Sequence, residues 1–341
     1  MSDELTRERT VQINAAAWEF WRFHANSADD WTRAYLAARG LRGLQAGYAP
    51  EGWARLVGRM RGRGFSADEI VAAGLAFRTE SGSVGDVFRD RLVLAYRDEH
   101  GDIVGFTARR NPALDDDGDA PAKYLNTTAT PAFDKSRDLY GLDPAAARNI
   151  RAGARVAVVE GALDAEAIRR TGTAVVAVSG CGTAVTATHL ERLRAIHPDA
   201  VALAVFAFDA DAAGRGAASR VWDLLTDVEA GTAGALVLPE GTDPAQLVQE
   251  GHGHALAERL AQPTSLASVV VDAELARHDL TIPEGRVAGL RATAARVARI
   301  PQAPLARVGA HLHARLRPHT DLGTIAGELA VAHADATRGG A

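Results

Sequence analysis

The sequence predicts an α/β fold: a parallel sheet with flanking helices, preceded by a mixed α+β segment and followed by a small helical bundle. Three observations carry this expectation. From Arg155 onward, short runs rich in β-branched residues alternate with stretches of helical character. Two earlier runs, RLVLAY (91–96) and IVGFTAR (103–109), flank the turn-rich RDEHGD. From about His254 the chain becomes alanine- and arginine-rich with helical periodicity, as in GRVAGLRATAARVARI. Near-continuous apolar strands joined by helical crossovers indicate a sheet covered on both faces.

Taken in order, residues 15–63 show a helical pattern in which Trp18, Phe20, Trp21, Tyr35, Leu36 and Leu41 supply apolar faces and Gly40 and Pro50 interrupt. The runs at 91–96 and 103–109 are expected to pair as an antiparallel hairpin around Gly101. Asp115 to Asp119 is an exposed loop, because so many carboxylates in one short stretch cannot be buried. RVAVVE then leads into a helix over 163–170, AVVAVS (174–179) into one over 188–196, VALAVFAFD into one over 213–228, and ALVLPE (235–240) into a helix opened by Asp243 and Pro244. This rhythm divides the chain into a basic α+β part at 1–150, a sheet domain at 151–253 and a helical part at 254–341. Ligands of such sheets bind beyond the carboxyl ends of the strands.

Composition narrows the function. The net charge of −5 argues against a purely electrostatic DNA binder, yet the charge is uneven: residues 151–250 hold 8 basic and 13 acidic side chains, whereas Arg55, Arg59, Arg61 and Arg63 crowd one short stretch. Cys181 is the only cysteine, so neither a disulfide framework nor a cysteine-based zinc ribbon is available. The first residues, MSDELTRERT, are charged where a signal peptide needs an apolar run, and the stretch from Val201 to Phe208 is far short of a membrane span. A cytoplasmic location without membrane contact is expected. Of the 38 basic residues only Lys123 and Lys135 are lysine. Against so strong an arginine bias, each marks a place where a compact, strongly hydrated point charge is wanted.

The chemistry concentrates in VVEGALDAEA (158–167), FDADAAGR (208–215) and LPEGTDP (238–244), each following an apolar run. Glu160, Asp209, Asp211, Glu240 and Asp243 are expected along one rim of the sheet, with Asp164 one helical turn after Glu160. Hard oxygen donors of this kind suit Mg²⁺ or Mn²⁺, ions that share their shells with substrate phosphates. Asp209 and Asp211, one residue apart at a strand mouth, repel each other unless a cation compensates. Structural readings stand beside these. Asp243 before Pro244 is a good helix N-cap, and Asp164 is a first-turn acid favoured by the helix dipole. Gly180, Gly182 and Thr183 form a tight turn through which backbone could approach a phosphate, and Cys181 within it reads as a buried filler.

An EGxxD segment after one strand, DxDxxG after another and a closing LPxGxDP resemble the Toprim domain. FRDRLVLAY with GFTARR, AKYLNT followed by FDKSRDLYGL, and AYLAARGL with AGYAPEGW extend the resemblance to the catalytic core of bacterial DnaG-type primases over about residues 15–250. It implies a primase-like, DNA-dependent RNA polymerase that makes short primers on single-stranded DNA from ribonucleoside triphosphates. Glu160, Asp209 and Asp211 would be catalytic, and these three with Asp243 would hold the metal. Arg109, Lys123 and Lys135 would line a groove for template and primer. Arg89 and Arg91 fall on the family's FRxR stretch and serve either that groove or structural ion pairs. Ala245 stands where the family often places another acid, so the resemblance implies one metal position that is either weaker or filled by Glu240. The stretch has neither the length nor the cysteines for the family's zinc-binding and helicase-interacting domains, so the resemblance implies a separate zinc-binding or helicase partner. Other readings are a Toprim nuclease and a non-catalytic nucleic-acid-binding accessory of a replicon or mobile element. A topoisomerase fits poorly, since all five tyrosines lie at or before Tyr140.

Overall fold

A computed structural model of the chain describes residues 5–25, 30–182, 184–208, 212–239 and 241–339. Its backbone divides into two compact units, one of Met1–Ala152, Val159–Ala184 and Pro244–Leu256, the other of Gly153–Val158, Val185–Asp243 and Ala257–Ala341.

The first unit opens with α1 (Arg7–His24), α2 (Thr32–Ala38), a short strand β1 (Gly47–Ala49), α3 (Arg55–Arg61) and α4 (Ala67–Ala72). β2 (Ala76–Arg78) and β3 (Val84–Asp86) form a small antiparallel pair. β4 (Arg91–Arg97), β5 (Ile103–Arg110) and β6 (Tyr124–Asn126) then precede α5 (Pro144–Arg151). β1, β4, β5 and β6 make an antiparallel sheet in that order. The RDEHGD link folds as a turn: the Asp98 carboxylate accepts the backbone N–H groups of His100 and Asp102, each at 3.0 Å, while Gly101 takes the left-handed φ of 93° that the reversal requires.

β1 departs from the interrupted helical pattern expected over 15–63. Gly47 to Ala49 pairs with Arg91 to Val93, partners more than forty positions away that local periodicity cannot reveal. Only glycine fits at position 47, where an added Cβ would lie 2.7 Å from the Trp21 Cβ. Trp21 is the centre of this unit's core. Its ring meets Phe106 edge-to-face at 4.8 Å and Phe88 at 5.5 Å, with Ile13, Met60 and Val93 wholly buried in the same cluster. The buried Asp86 accepts the backbone N–H groups of Leu56 at 2.7 Å and Val57 at 3.0 Å and so caps the seven-residue α3 from a distant strand. Burial nonetheless pushes its carboxyl above the usual carboxylate range.

The second sheet takes β7 (Val156–Val159), β8 (Val176–Ser179), β9 (Val205–Phe208), β10 (Gly234–Val237) and β11 (Thr264–Ser265) in the order β11-β10-β9-β7-β8. β10, β9 and β7 run parallel, and β11 is antiparallel to β10. Between these strands lie α6 (Ala162–Arg170), α7 (Ala187–Ile196), α8 (Ala212–Leu224), α9 (Asp227–Thr232), α10 (Pro244–Gln249) and α11 (Gly253–Ala261). Two local differences from the sequence pattern have clear causes. Residues 201–204 are apolar but form turns, with Ala204 N–H donating to the Val201 carbonyl, so the strand starts only at Val205. The expected helix over 213–228 breaks in two because Thr226 starts a new one with a capping box: its hydroxyl accepts Glu229 N–H, and Glu229 accepts Thr226 N–H at 2.8 Å.

α12 (Leu266–Leu275), α13 (Pro283–Val297), α14 (Gln302–Leu316) and α15 (Leu322–Gly339) complete the second unit as a bundle. Within it Arg299 lies 5.1 Å over the ring of the buried Trp222 and ties down the end of α8 through the Leu225 carbonyl at 2.9 Å. No described helix is long and apolar enough to cross a membrane.

Candidate active site

Glu160 is the residue just beyond β7, and its side chain is exposed. Its carbonyl is held by two donors from the turn after β8, the Ser179 hydroxyl at 2.8 Å and the Gly182 N–H at 3.1 Å. Gly182 has φ 79° and Cys181, also left-handed, has φ 49°, so the SGCG segment curls back on the end of β7. The Cys181 thiol is pushed up by burial and eased down by hydrogen bonding and by the charge of Lys135. A thiol held neutral in this way packs rather than reacts.

Asp164 lies in the first turn of α6. One carboxylate oxygen accepts Gly161 N–H at 3.2 Å and the other accepts Ala245 N–H at 3.3 Å, so it joins the start of α6 to the start of α10. Asp243 is half-buried immediately before Pro244, the first residue of α10. Asp209, Asp211, Glu240 and Thr183 lie outside the described residues. Among the described residues, no three His, Cys, Asp or Glu side chains converge as a metal centre. The donor set that the sequence points to, carboxylates with an exposed Glu160, is nonetheless the oxygen chemistry that fits a hard divalent cation.

The segment carrying Lys135 is pinned to the edge of β8. Tyr140 and Ser179 exchange backbone hydrogen bonds at 2.8 and 2.9 Å, and the Tyr140 hydroxyl donates to the buried Glu166 at 2.8 Å. Gly141 follows with φ 88°, where any Cβ would meet the Ala177 carbonyl at 2.6 Å. That contact explains the YG step at the end of FDKSRDLYG.

The basic side is built on the β4–β5–β6 sheet. Arg91, nearly buried, reaches beneath the loop between β5 and β6 and donates to the carbonyls of Ala122 at 2.8 Å and Lys123 at 3.3 Å. Burial, together with the charge of Arg110, lowers its pKa to about 10, while Asp90 works the other way. These hydrogen bonds make Arg91 a clamp on the loop backbone, which is neither the groove contact nor the ion pair expected from the sequence. Arg89 points outward and lies 5.3 Å over the Trp53 ring and 5.6 Å over Phe77. The residue between them, Asp90, has φ 46° and accepts hydrogen bonds from Trp31 Nε1 at 2.7 Å, the Tyr48 hydroxyl at 3.0 Å and Asn111 Nδ2 at 3.0 Å. This left-handed kink sends the two arginines in different directions.

Arg109, only 4% exposed, lies 4.8 Å over the Tyr35 ring and is paired with Asp115. Lys123 is exposed at the start of β6. The acidic and basic sides meet within the first unit: Asn126 Nδ2 on β6 donates to the Cys181 carbonyl at 3.3 Å, in the same turn that holds Glu160.

Sequence reasoning missed Tyr35, Trp53, Arg110 and Asp115. In the sequence Tyr35 counts among the apolar residues of the helical segment and Trp53 carries no signal of its own; only the fold shows arginines stacked on them. Asp115 carried no local signal that would separate it from the other acids of its run.

The sequence profile described as the DNA primase catalytic core, N-terminal domain, matches residues 21–146, and the Toprim-like profile matches residues 157–248. The DNA primase of Mycolicibacterium smegmatis is 37% identical over 307 residues, which are 87% of this chain and 47% of that protein; the chain thus spans about half the length of the curated relatives it matches. The crystal structure of the RNA polymerase domain of Mycobacterium tuberculosis primase DnaG, solved in complex with double-stranded DNA, superposes with a TM-score of 0.77 at 33% identity, covering 90% of this chain and 98% of that one. A DnaG primase catalytic domain bound to single-stranded DNA gives 0.73 at 28% identity, covering 90% and 98%. With an N-terminal core, a Toprim sheet and nearly the whole of a solved RNA polymerase domain accounted for, this chain belongs to the catalytic-core family of DnaG-type primases.

Proposed function

We propose that this chain is a nucleotidyltransferase of the primase type, copying single-stranded DNA into short RNA primers from ribonucleoside triphosphates. The observation that carries this reading is the junction of Asn126 with the turn at Glu160 and Cys181, which sets a lysine- and arginine-bearing hairpin beside a strand-end carboxylate. A nuclease needs the acids but leaves the hairpin's cations without a task. A binding module needs the cations but gains nothing from acids that face a polyanion.

In this reading Lys123, Lys135 and Arg89 hold the phosphates of template, primer or triphosphate. Arg109 stands over Tyr35 as a further phosphate contact, and Arg91 fixes the loop that presents Lys123. Glu160 accepts the proton of the attacking 3′-hydroxyl as the new phosphodiester forms and pyrophosphate leaves. Mg²⁺ or Mn²⁺ bound by Glu160, Asp209, Asp211 and Asp243 would supply charge neutralisation at the triphosphate. Asp164, whose two oxygens accept backbone N–H groups, serves as a strut between α6 and α10. We assign template recognition at initiation to a zinc-binding or helicase module, and expect the reaction to take place in the cytoplasm.

Steady-state incorporation of labelled ribonucleotides on a primed template tests the role of the lysines. Lys135→Ala is expected to lower kcat/KM for the triphosphate by about tenfold to a hundredfold, with the unfolding transition unmoved. Unchanged kcat/KM would remove Lys135 from the site. Metal-dependent cleavage of DNA in the absence of triphosphates would replace the polymerase reading with the nuclease one.

A further inference from the structure

The loop between β5 and β6 carries the acidic run Asp115, Asp116, Asp117 and Asp119. Only the first of these turns inward. The Asp115 carboxylate pairs with Arg109 Nη2 through one oxygen and with Arg110 Nε at 3.3 Å through the other, while its carbonyl accepts Arg110 Nη2 at 3.5 Å. Asp117 instead accepts the Asp119 backbone N–H at 3.0 Å, within the loop. Burial alone would raise the Asp115 carboxyl, but hydrogen bonds from Arg109 and Arg110 and the charges of Arg109 and Lys123 hold it below the usual range. Two cations, Arg109 assigned to the template groove and its neighbour Arg110, therefore converge on one carboxylate.

The pairing does not use all that Arg109 offers. Its Nη1 donates to the Arg110 carbonyl and its Nη2 to Asp115, but its buried Nε has no hydrogen-bond partner among the described residues. An unmatched donor of this kind can still take one more acceptor. A carboxylate and a phosphodiester share the same charge and the same paired oxygens, and guanidinium forks accept either. The far end of the loop is separately secured, since Arg91 holds the Ala122 and Lys123 carbonyls, so Asp115 can leave without releasing Lys123. Without a counter-ion, Arg89, Arg109 and Arg110 would all repel Arg91, which already shows their charges in its lowered pKa.

We propose that Asp115 is a stand-in for a template phosphate, occupying Arg109 and Arg110 in the empty groove and giving way to a phosphodiester of single-stranded DNA. The acidic loop thereby sets template affinity, since binding must first break the Asp115 pairs. This rests on the reading of the hairpin as a template groove. It also predicts a gain on removing a charged residue from the site.

The test is fluorescence anisotropy of a labelled single-stranded oligonucleotide binding to the full chain, at one low salt concentration and without triphosphates. Asp115 is a third exposed, so the pair is partly screened. Asp115→Asn is accordingly expected to tighten binding by about three- to tenfold. Asp117→Asn makes the same charge change on an outward residue and should give less than about half that gain. The Asp115→Asn gain should vanish in an Arg109→Ala background, or in Arg110→Ala if Arg109→Ala unfolds. Unchanged or weaker binding by Asp115→Asn, an equal gain from Asp117→Asn, or a gain that survives loss of the arginine would each overturn the proposal. Absence of single-strand binding in every form would instead overturn the groove reading beneath it.

Discussion

Asp209→Ala is expected to abolish ribonucleotide incorporation, lowering kcat by about a thousandfold or more while leaving thermal unfolding in chelator unchanged. The reason lies in the sequence around β9. The strand ends at Phe208, and two carboxylates one residue apart follow it directly. Two carboxylates so close in sequence repel each other unless a cation compensates, which is the ground for the proposed metal assignment. Removing one should weaken the hold on metal, and the unfolding measurement separates loss of chemistry from loss of fold. Asp209→Asn, which keeps the shape, should lose activity nearly as far. Incorporation within about tenfold of the parent by the alanine variant would break the metal assignment.

Trp21→Ala carries the largest expected effect on stability, about 3–5 kcal/mol in urea unfolding. Trp21 is wholly buried, meets Phe88 and Phe106 edge-to-face, and covers Gly47 so closely that no side chain fits there. Its two aromatic partners adjoin the site: Phe88 precedes Arg89, and Phe106 lies on β5 ahead of Arg109 and Arg110. The cavity would therefore loosen the strand and the kinked segment that aim the basic side chains. Phe20→Ala, on a half-buried residue of the same helix, should cost less than half as much. A Trp21→Ala cost below about 1 kcal/mol would mean that the aromatic cluster does not hold this unit together.

Where the sequence spoke through local pattern, it spoke clearly. The apolar runs ending at Val159, Ser179 and Phe208 are strands because they are β-branched or aromatic and bounded by turn residues, and Glu160 could be placed beyond the first of them on that ground alone. The hairpin was equally plain, since Asp98 and Gly101 supply the turn chemistry. What stayed hidden depends on partners distant in sequence. β1 exists because Arg91 to Val93 offers it an edge, and Asp86 caps α3 from about thirty residues away. The dual character of the FRDR segment could not be read either: Arg91 and Arg89 look alike in sequence, and only the left-handed Asp90, held by the side chains of Trp31, Tyr48 and Asn111, divides them into a clamp and an outward cation. Asp115 is the sharpest case. A run of acids reads as a solvated loop, and most of it is one; the single carboxylate that turns back does so because Arg109 and Arg110 lie within reach on the neighbouring strand.

In the proposed function the strand-end carboxylates and the basic hairpin together polymerise ribonucleotides on single-stranded DNA. The direct measurement is product analysis with labelled ribonucleoside triphosphates and Mg²⁺ or Mn²⁺ on a single-stranded template, with and without an annealed primer, resolved by length. Template-dependent RNA growing one nucleotide at a time from the annealed primer is expected, with far less synthesis where no primer or initiating module is supplied. Shortened template DNA with no extended product, or no product under any of these conditions from a folded, DNA-binding chain, would contradict it.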